Sequence, residues 1–375
     1  IFYHPDGSLY QAGETLVQRD LGQSLARIAA TAGKDFYTGD IARAIVAEMA
    51  GNGGLISLDD LAAYRPVWRQ PAQGSYRGYQ IASMPPPSSG GVHLIQMLNM
   101  LETFPVGEFG HNGVESLHVM AEAMKLAYAD RARHLGDPDF WAVPVKGLTA
   151  KAYAQNLAAS IERRRARPSA EISHGNPAPY ESNETTHFSV MDSAGNVVSN
   201  TYTLNFSFGT GIVAKGTGIL LNNEMDDFSA KPGVANAYGL VGGEANAIQG
   251  GKRPLSSMTP TIVFKGGEPF LATGSPGGSR IITMVLQILL NVIDHSLNIA
   301  EATAAVRLHH QWLPDKLFVE QGFSPDTQAV LRQRGHKVTP SRAAGSVQSV
   351  MRAPKDGGFL GASDPRSHGS LTAGH

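Results

Sequence analysis

Thr185, Thr203 and Asn205 are the residues of this chain whose types and spacing first suggest chemistry. Phe188 and Val190 alternate with Thr185, His187 and Ser189, which is the periodicity of a strand. Asp192 to Asn196 supplies turn residues and a second β-branched run follows, so 184–205 predicts a β-hairpin. In a hairpin symmetric about Ala194, Thr185 lies opposite Thr203, with Cβ atoms about 4.5–5.5 Å apart. Asn205, two residues further, shares their face. Threonine is a poor nucleophile without a base beside it. A threonine that begins a chain solves this, because its own α-amine takes the hydroxyl proton. That amine has a pKa of about 7.7–8.0, which suits a general base near neutral pH. Such a chain must first be cut before Thr185, and the same hydroxyl can do this by attacking the Glu184 carbonyl. The polar, proline-rich 167–179 predicts an exposed segment just upstream. An ordinary linker feeding an ordinary hairpin is the alternative.

The elements that must position these groups are legible in part. Asp20 predicts the cap of a helix with Leu21, Leu25 and Ile28 on one face. A second begins near Asp40 with Ile41, Ile45 and Met49 spaced four apart, and Ser57-Leu58-Asp59-Asp60 resembles the start of a short third. Residues 77–84 read as a strand ended by Pro85-Pro86-Pro87, and Gly90-Gly91 leads into a helix through Leu101. Helix 113–135 carries Val114, Leu117, Ala121, Met124 and Tyr128 on one side. A helix at about 149–165 precedes the proline-rich linker. Beyond the hairpin come a strand at 218–222, a glycine-rich excursion at 232–251, and the hairpin 261–264/269–273. Helices 280–294 and 299–307, a strand at 317–320, a helix at 324–334 and two or three short strands complete the chain. No internal repeat is present. Strands concentrate after Thr185 and helices before and around it, which predicts an α+β fold with two sheets between helix layers.

Composition narrows the function. The 375 residues suffice for one large domain or two smaller ones with a sizeable core. Charged residues make up 17%, below the usual ~25%, and the 42 glycines suggest a compact, loop-rich enzyme. A formal net charge of −1 offers no field to recruit nucleic acid or an anionic membrane. The absence of cysteine excludes disulfides, Cys-ligated zinc and thiol catalysis, and identifies no compartment. The apolar 281–293 is too short to span a bilayer and holds Gln287 and Asn291, so it reads as a buried helix. No signal peptide is visible, but the chain reads as starting in mid-domain, so nothing about targeting follows.

Four further stretches bear on chemistry. Asn222-Asn223-Glu224-Met225-Asp226-Asp227 reads as a metal-like acidic loop or a solvated turn, and its lack of EF-hand spacing argues against calcium. Ser256-Ser257 follows Lys252-Arg253-Pro254-Leu255 and by itself reads as loop. Gly274-Ser275-Pro276-Gly277-Gly278-Ser279-Arg280 opens the apolar helix without the Gly-Lys-Ser/Thr ending of a phosphate loop. Its glycines expose backbone N–H groups at the positive end of a helix dipole, which suits an oxyanion. Residues 232–249 predict a mobile Ω-type loop on which Tyr238 could latch over a small ligand, with a surface loop as the alternative. His187 and His309-His310-Gln311-Trp312 lack any metal spacing and read as packed or hydrogen-bonded histidines. No Gly-x-Ser-x-Gly elbow supports a Ser-His-Asp triad.

Glu-Thr-Thr-His-Phe-Ser-Val-Met-Asp, Thr-Tyr-Thr-Leu-Asn, the 222–227 motif, Lys-Arg-Pro-Leu-Ser-Ser-Met-Thr-Pro and Gly-Ser-Pro-Gly-Gly-Ser-Arg together resemble the γ-glutamyltranspeptidase family of N-terminal-nucleophile hydrolases. The likeness covers 185–375 and continues upstream through Pro-Pro-Pro-Ser-Ser-Gly-Gly (85–91) and Ala-Tyr-Ala-Asp-Arg (127–131). It implies a four-layer αββα sandwich. It also implies two parts: 1–184, the C-terminal part of a large subunit with its linker at 167–184, and 185–375, a small catalytic subunit. The family's large subunit has a further segment ahead of the position of Ile1, which leaves open an incomplete sandwich. The resemblance implies self-cleavage between Glu184 and Thr185, then γ-glutamyl transfer from or hydrolysis of glutathione and related compounds through a γ-glutamyl-threonine. Thr203 would orient the hydroxyl, and Gly277 and Gly278 would hold the oxyanion. Asn205, Glu224 and Asp227 would bind the substrate α-amino group, Ser256 and Ser257 its α-carboxylate, and the Tyr238 loop would cover the pocket. The family's main partner for that carboxylate is an arginine from the early large subunit, a segment not in this sequence. Arg253 and Arg280 are the obvious stand-ins, yet both read as structural.

The resemblance implies no cofactor or metal, a small-molecule γ-glutamyl donor with water or an amine acceptor, two subunits from one precursor, and a periplasmic or secreted location. No nucleic acid partner and no membrane span are expected. Rival readings are a cephalosporin (glutaryl) acylase, against which Asp227 argues, a poly-γ-glutamate processing enzyme, which the 232–249 loop disfavours, and an inactive scaffold of the same fold.

Overall fold

The computed structural model describes residues 1–180, 195–343, 345–353, 358–367 and 370–373. Glu184, Thr185 and His187, with the first arm of the predicted hairpin, lie outside the described residues. The chain divides into two compact units, Ile1–Trp68 with Thr203–Glu224, and Arg69–Tyr202 with Met225–His375.

The smaller unit holds the helices Arg19–Ala30, Lys34–Thr38, Asp40–Gly51 and Leu58–Ala63. Ile41 and Ile45, four apart, are buried together with Ala214, and Met49 packs against them. The predicted start at Ser57 is a capping box, in which the Ser57 hydroxyl accepts from the Asp60 N–H and the Asp60 carboxylate from the Ser57 N–H. Asp20, expected as a cap, sits instead in the first turn after Gln18. Of the face expected on that helix Leu25 is exposed, and Ser24 is buried where its hydroxyl donates to the Thr217 carbonyl at 2.8 Å. The strand expected at 218–222 is the short Ile219–Leu220, antiparallel to Val213–Ala214.

The larger unit is built on a six-stranded antiparallel sheet, in the order Ala72–Tyr76, Tyr79–Ser83, Thr261–Lys265, Glu268–Gly274, Gln348–Arg352, Phe359–Ser363. The strand expected at 77–84 is the second arm of a hairpin. Its first arm was silent, because Gln73-Gly74-Ser75 carries no apolar alternation. Arg77 and Gly78 both take positive φ, 49° and 84°, the turn that matches strand twist. The helices Gly90–Leu101 and Ile281–Ile293 pack together beside this sheet within the main core. A second sheet pairs Leu308–His309 antiparallel and Val338–Ser341 parallel to Leu317–Glu320. Helices and antiparallel sheets thus occur as the α+β expectation requires.

Four further expectations need correction. The helix Val114–His134 has no solvent face between Ser116 and Arg131, since every residue there is buried. Its polar groups are satisfied inside. Lys125 Nζ donates to Glu122 Oε1 at 2.7 Å and to the Arg167 carbonyl at 2.8 Å, and the Asp130 carboxylate accepts from Gln96, Tyr153 and the Gly175 N–H. The helix expected at 149–165 is Lys151–Ala158, separated from Val145–Thr149 by an extended Ala150. The start of the proline-rich linker is packed rather than exposed. Trp312 Nε1 donates to the Ser169 and Ile172 carbonyls at 3.0 and 3.1 Å, burying both residues. The second arm of the predicted hairpin is not a strand in its described part, 197–204. Ser199 replaces ladder bonds there, its hydroxyl accepting from the Thr261 N–H and donating to the Thr273 carbonyl, each at 3.0 Å.

The Pro85–Gly91 expectation fares better. Ser88 and Ser256 form a parallel bridge, with the Ser89 N–H on the Ser256 carbonyl and the Ser256 N–H on the Pro87 carbonyl, both 2.9 Å. A Cβ on Gly90 would stand 2.1 Å from the Met258 carbonyl oxygen. Gly90→Ala is therefore expected to destabilise the protein by about 1–3 kcal/mol. Gly22→Ala, in mid-helix with nothing within 4 Å of its Cβ, is expected to stabilise by about 0.5–1 kcal/mol. Denaturant unfolding of the two variants beside the parent checks both signs.

Candidate functional site

In the smaller unit Asn223 gathers the predicted residues. Its N–H donates to the Leu204 carbonyl at 3.1 Å, its carbonyl accepts from Asn205 Nδ2 at 3.1 Å, and its side-chain oxygen accepts from the Phe206 N–H at 3.0 Å. Asn205 takes a positive φ of 73°, and its N–H donates to Thr203 Oγ1 at 2.8 Å. This geometry explains why the chain leaves extended conformation there. Thr203, Asn205 and the Asn222–Glu224 corner are thus brought together, and the Glu224 N–H donates to Asn222 Oδ1 at 3.0 Å.

In the larger unit the two adjacent aspartates divide their tasks. The Asp226 carboxylate accepts from the Ala237 N–H at 3.3 Å, and its carbonyl accepts from Asn236 Nδ2 at 3.2 Å. Asp226 thereby fastens the loop that carries Tyr238. That loop, expected to be a mobile Ω-type segment, is an internally bonded turn. Asn236 Oδ1 accepts from the Tyr238 and Leu240 N–H groups at 3.1 and 3.0 Å, and Ala235 bridges Val241. Asp227 is left for other work. Burial pushes its carboxyl up to about 6, opposed by Arg131 and assisted by Asp226.

Asn246 joins Asp227 to the serine pair. Its buried side chain donates to the Asp227 carbonyl at 2.7 Å and accepts from the Leu255 N–H at 3.0 Å. Ser256 and Ser257 follow directly. The Ser256 carbonyl accepts from Ser89 Oγ at 2.8 Å, and Ser257 Oγ accepts from Arg131 Nη2 at 3.2 Å. Asn246 thus ties the Asp227 backbone to that of Leu255, directly ahead of the serine pair.

Gly277 and Gly278 have φ of 145° and 56°, a conformation that favours glycine. A Cβ on Gly278 would come within 2.4 Å of the Tyr238 ring, so that ring lies against the glycine pair. Gln311 secures both partners, its Nε2 donating to the Tyr238 carbonyl at 3.0 Å and its Oε1 accepting from Ser279 Oγ at 2.8 Å. A cavity of about 880 Å³ between 197–202 and the sheet strands is lined by Ser199, Tyr202, Thr273 and Gln348, and by none of the predicted binding residues.

The other expectations resolve plainly. Arg253 faces Asp139 at 3.4 Å, and Arg280 donates to Ser341 Oγ at 2.8 Å and lies over the Phe318 ring. His309 is buried between Thr283 Oγ1 and Gln311 Oε1, and burial pushes its pKa down to about 3. His118, Glu122 and His336 approach within 4.8 Å of one another. Lys125 and the Arg167 N–H occupy the Glu122 carboxylate, and His118 bonds His336 and the Glu162 carbonyl. An ammonium beside the carboxylate makes this an interior hydrogen-bonded cluster rather than a metal centre. Two site residues escaped sequence reasoning. Asn246 gave no signal. Arg131 did, because it continues the Met124, Tyr128 stripe at i+7 of an otherwise apolar helical face.

Residues 1–374 match the family described as Gamma-glutamyltranspeptidase. The chain is 59% identical over 370 residues to the glutathione hydrolase proenzyme of Escherichia coli (strain K12), covering 99% of this chain and 64% of that protein. It is 42% identical over 372 residues to the acylase ACY 1 proenzyme of Pseudomonas sp. (strain SE83), covering 98% and 63%. A cephalosporin acylase from Bacillus halodurans superposes with a TM-score of 0.83 at 28% identity, over 100% of this chain and 66% of that one. The superposition agrees with the expected α+β sandwich of the N-terminal-nucleophile hydrolase type. The chain spans just under two thirds of the length of the curated relatives it matches. Among the described residues no helix is long and apolar enough to cross a membrane.

Asn246→Ala should leave the Leu255 N–H and the Asp227 carbonyl unpaired. A stability loss of about 1–3 kcal/mol is expected in denaturant unfolding, with faster amide exchange at Leu255.

Proposed function

The chain belongs to the γ-glutamyltranspeptidase family, and from that premise we propose that it transfers or hydrolyses γ-glutamyl groups, glutathione among their donors. One observation carries the reading. The backbone of a half-buried aspartate and that of the residue before a serine pair are fastened to each other through Asn246, and in this reading the two offer an ammonium and a carboxylate their complements. An amino-acid head is the chemistry such a place recognises. In this reading Asn205, Glu224 and Asp227 hold the α-ammonium, Ser256 and Ser257 the α-carboxylate, and Tyr238 covers the bound group. Thr185, made a chain start by attack on the Glu184 carbonyl, adds to the γ-carbonyl while its amine takes the hydroxyl proton. Thr203 orients that hydroxyl. The backbone N–H groups of Gly277 and Gly278 steady the oxyanion, one such donor being worth about 2.7–4 kcal/mol of barrier. The amine returns the proton to the leaving group, and water or an amino-acid or peptide amine releases the γ-glutamyl group. The same reading carries two subunits from one precursor and a periplasmic or secreted site of action.

Full-length protein is expected to run as two chains on a denaturing gel and Thr185→Ala as one. A Thr185→Ala protein that still splits at this bond overturns the assignment.

The likeness to a cephalosporin acylase favours glutaryl transfer as a second reading. The two differ at Asp227, which has a purpose only where the substrate carries an ammonium. Its carboxyl, at about 6, must be ionised to hold that ammonium, so binding weakens as pH falls through this value. The ratio of kcat/KM for γ-glutamyl-anilide over glutaryl-anilide cancels the Thr185 amine, which both substrates use. It is expected to fall about tenfold per pH unit below this point. A ratio that stays flat, or that favours glutaryl-anilide throughout, sinks the γ-glutamyl reading.

A further inference from the structure

Arg131 is a buried guanidinium on the Val114–His134 helix whose described partners include no ion-paired carboxylate. Nε donates to Ser89 Oγ at 2.9 Å, and Nη2 donates to Ser257 Oγ at 3.2 Å and to the Leu255 carbonyl at 3.4 Å. The ionisable groups whose fields reach it are Tyr128 and Asp227. An isolated buried cation is unfavourable unless something anionic answers it. The Pro85–Gly91 and Leu255–Ser257 segments deliver three oxygens to it, none a full charge. A guanidinium has no acceptor, so Ser257 Oγ is the acceptor in this bond, and the serine must direct its own proton elsewhere.

We propose that Arg131 is a positioning residue for the amino-acid head of the substrate: it turns the Ser257 hydroxyl into a donor for the substrate α-carboxylate and supplies the positive field behind it. This deepens the γ-glutamyl reading and rests on it. Two donors in series, guanidinium to hydroxyl to carboxylate, polarise one another in a site screened from water. The same charge acts on Asp227, so one cation is felt by both groups proposed to hold the amino-acid head.

The test compares L-glutamate with 4-aminobutanoate, the same molecule without its α-carboxylate, by calorimetry on the full-length protein. Arg131→Met is expected to weaken L-glutamate about tenfold or more and 4-aminobutanoate less than about twofold. In γ-glutamyl-anilide hydrolysis the loss should appear in KM, with kcat nearly unchanged. Ser257→Ala should add little in the Arg131→Met background, because the two act as one unit. Arg131→Lys keeps the charge but cannot span both serines, and is expected to lose about threefold for L-glutamate only. Equal loss of both ligands in either variant, or unchanged L-glutamate binding, overturns the proposal. Should Arg131→Met not fold, Arg131→Lys decides by the same comparison. A parent protein that binds L-glutamate yet never hydrolyses γ-glutamyl-anilide sinks the proposed activity and leaves this inference standing. One that binds neither ligand sinks both.

Discussion

Gly90 meets the Met258 carbonyl with no space for a methyl group between them, and much of the larger unit depends on that approach. Through it the Pro85–Gly91 segment lies alongside 256–259, exchanging backbone bonds at Ser89 and Ser256. The Gly90–Leu101 helix departs from this contact and buries every residue it contains. Ser88 and Ser89 spend their hydroxyls on the Met258 and Ser256 carbonyls, so the segment that binds by shape also binds by polarity. Proline at 85–87 and glycine at 90 and 91 are two answers to one demand, a chain that must approach another backbone closely and then turn directly into a helix.

What the core accepts in return is an unusual load of polar groups. The Val114–His134 helix carries Glu122, Lys125, Asp130 and Arg131 into the interior. Each brings a desolvation penalty that only specific partners offset. Lys125 and Glu122 neutralise each other, and Asp130 collects three donors. Arg131 reaches two serine hydroxyls and a carbonyl oxygen, and one of those serines, Ser257, is among the residues proposed to meet the amino-acid head. Polar burial in this helix therefore takes two forms, a neutralised Lys125–Glu122 pair and an Arg131 guanidinium held by hydroxyl and carbonyl oxygens.

Sequence periodicity announced most of the framework. Ile41 and Ile45 read as a buried helical face and are one, and the alternating 261–273 hairpin forms as expected. Helices with strong patterns were placed to within a few residues. Failures have local causes. The arm Ala72–Tyr76 is a strand because it pairs with Tyr79–Ser83, while its own Gln-Gly-Ser centre carries no pattern. The amphipathic reading of Val114–His134 failed because its polar residues find partners that only the tertiary fold supplies. The linker near Ser169 looked exposed by composition, yet a single indole N–H draws two of its carbonyls inward. A motif was legible where a turn needs a special backbone, as at Gly277 and Gly278 with their positive φ. Asn246 and Arg131, which hold other residues in place, show their roles only in three dimensions.

The six-stranded sheet takes Ala72–Tyr76 and Tyr79–Ser83 from ahead of residue 184 and its other four strands from beyond residue 185. The seam is the five-residue pairing of Tyr79–Ser83 with Thr261–Lys265 in mid-sheet. Severing the chain between those two sequence positions would thus open no new edge in this sheet. Two polypeptides would share the larger unit's hydrophobic interior, and diluting them in native buffer would not part them, since separation would bare the paired strands of that sheet to water.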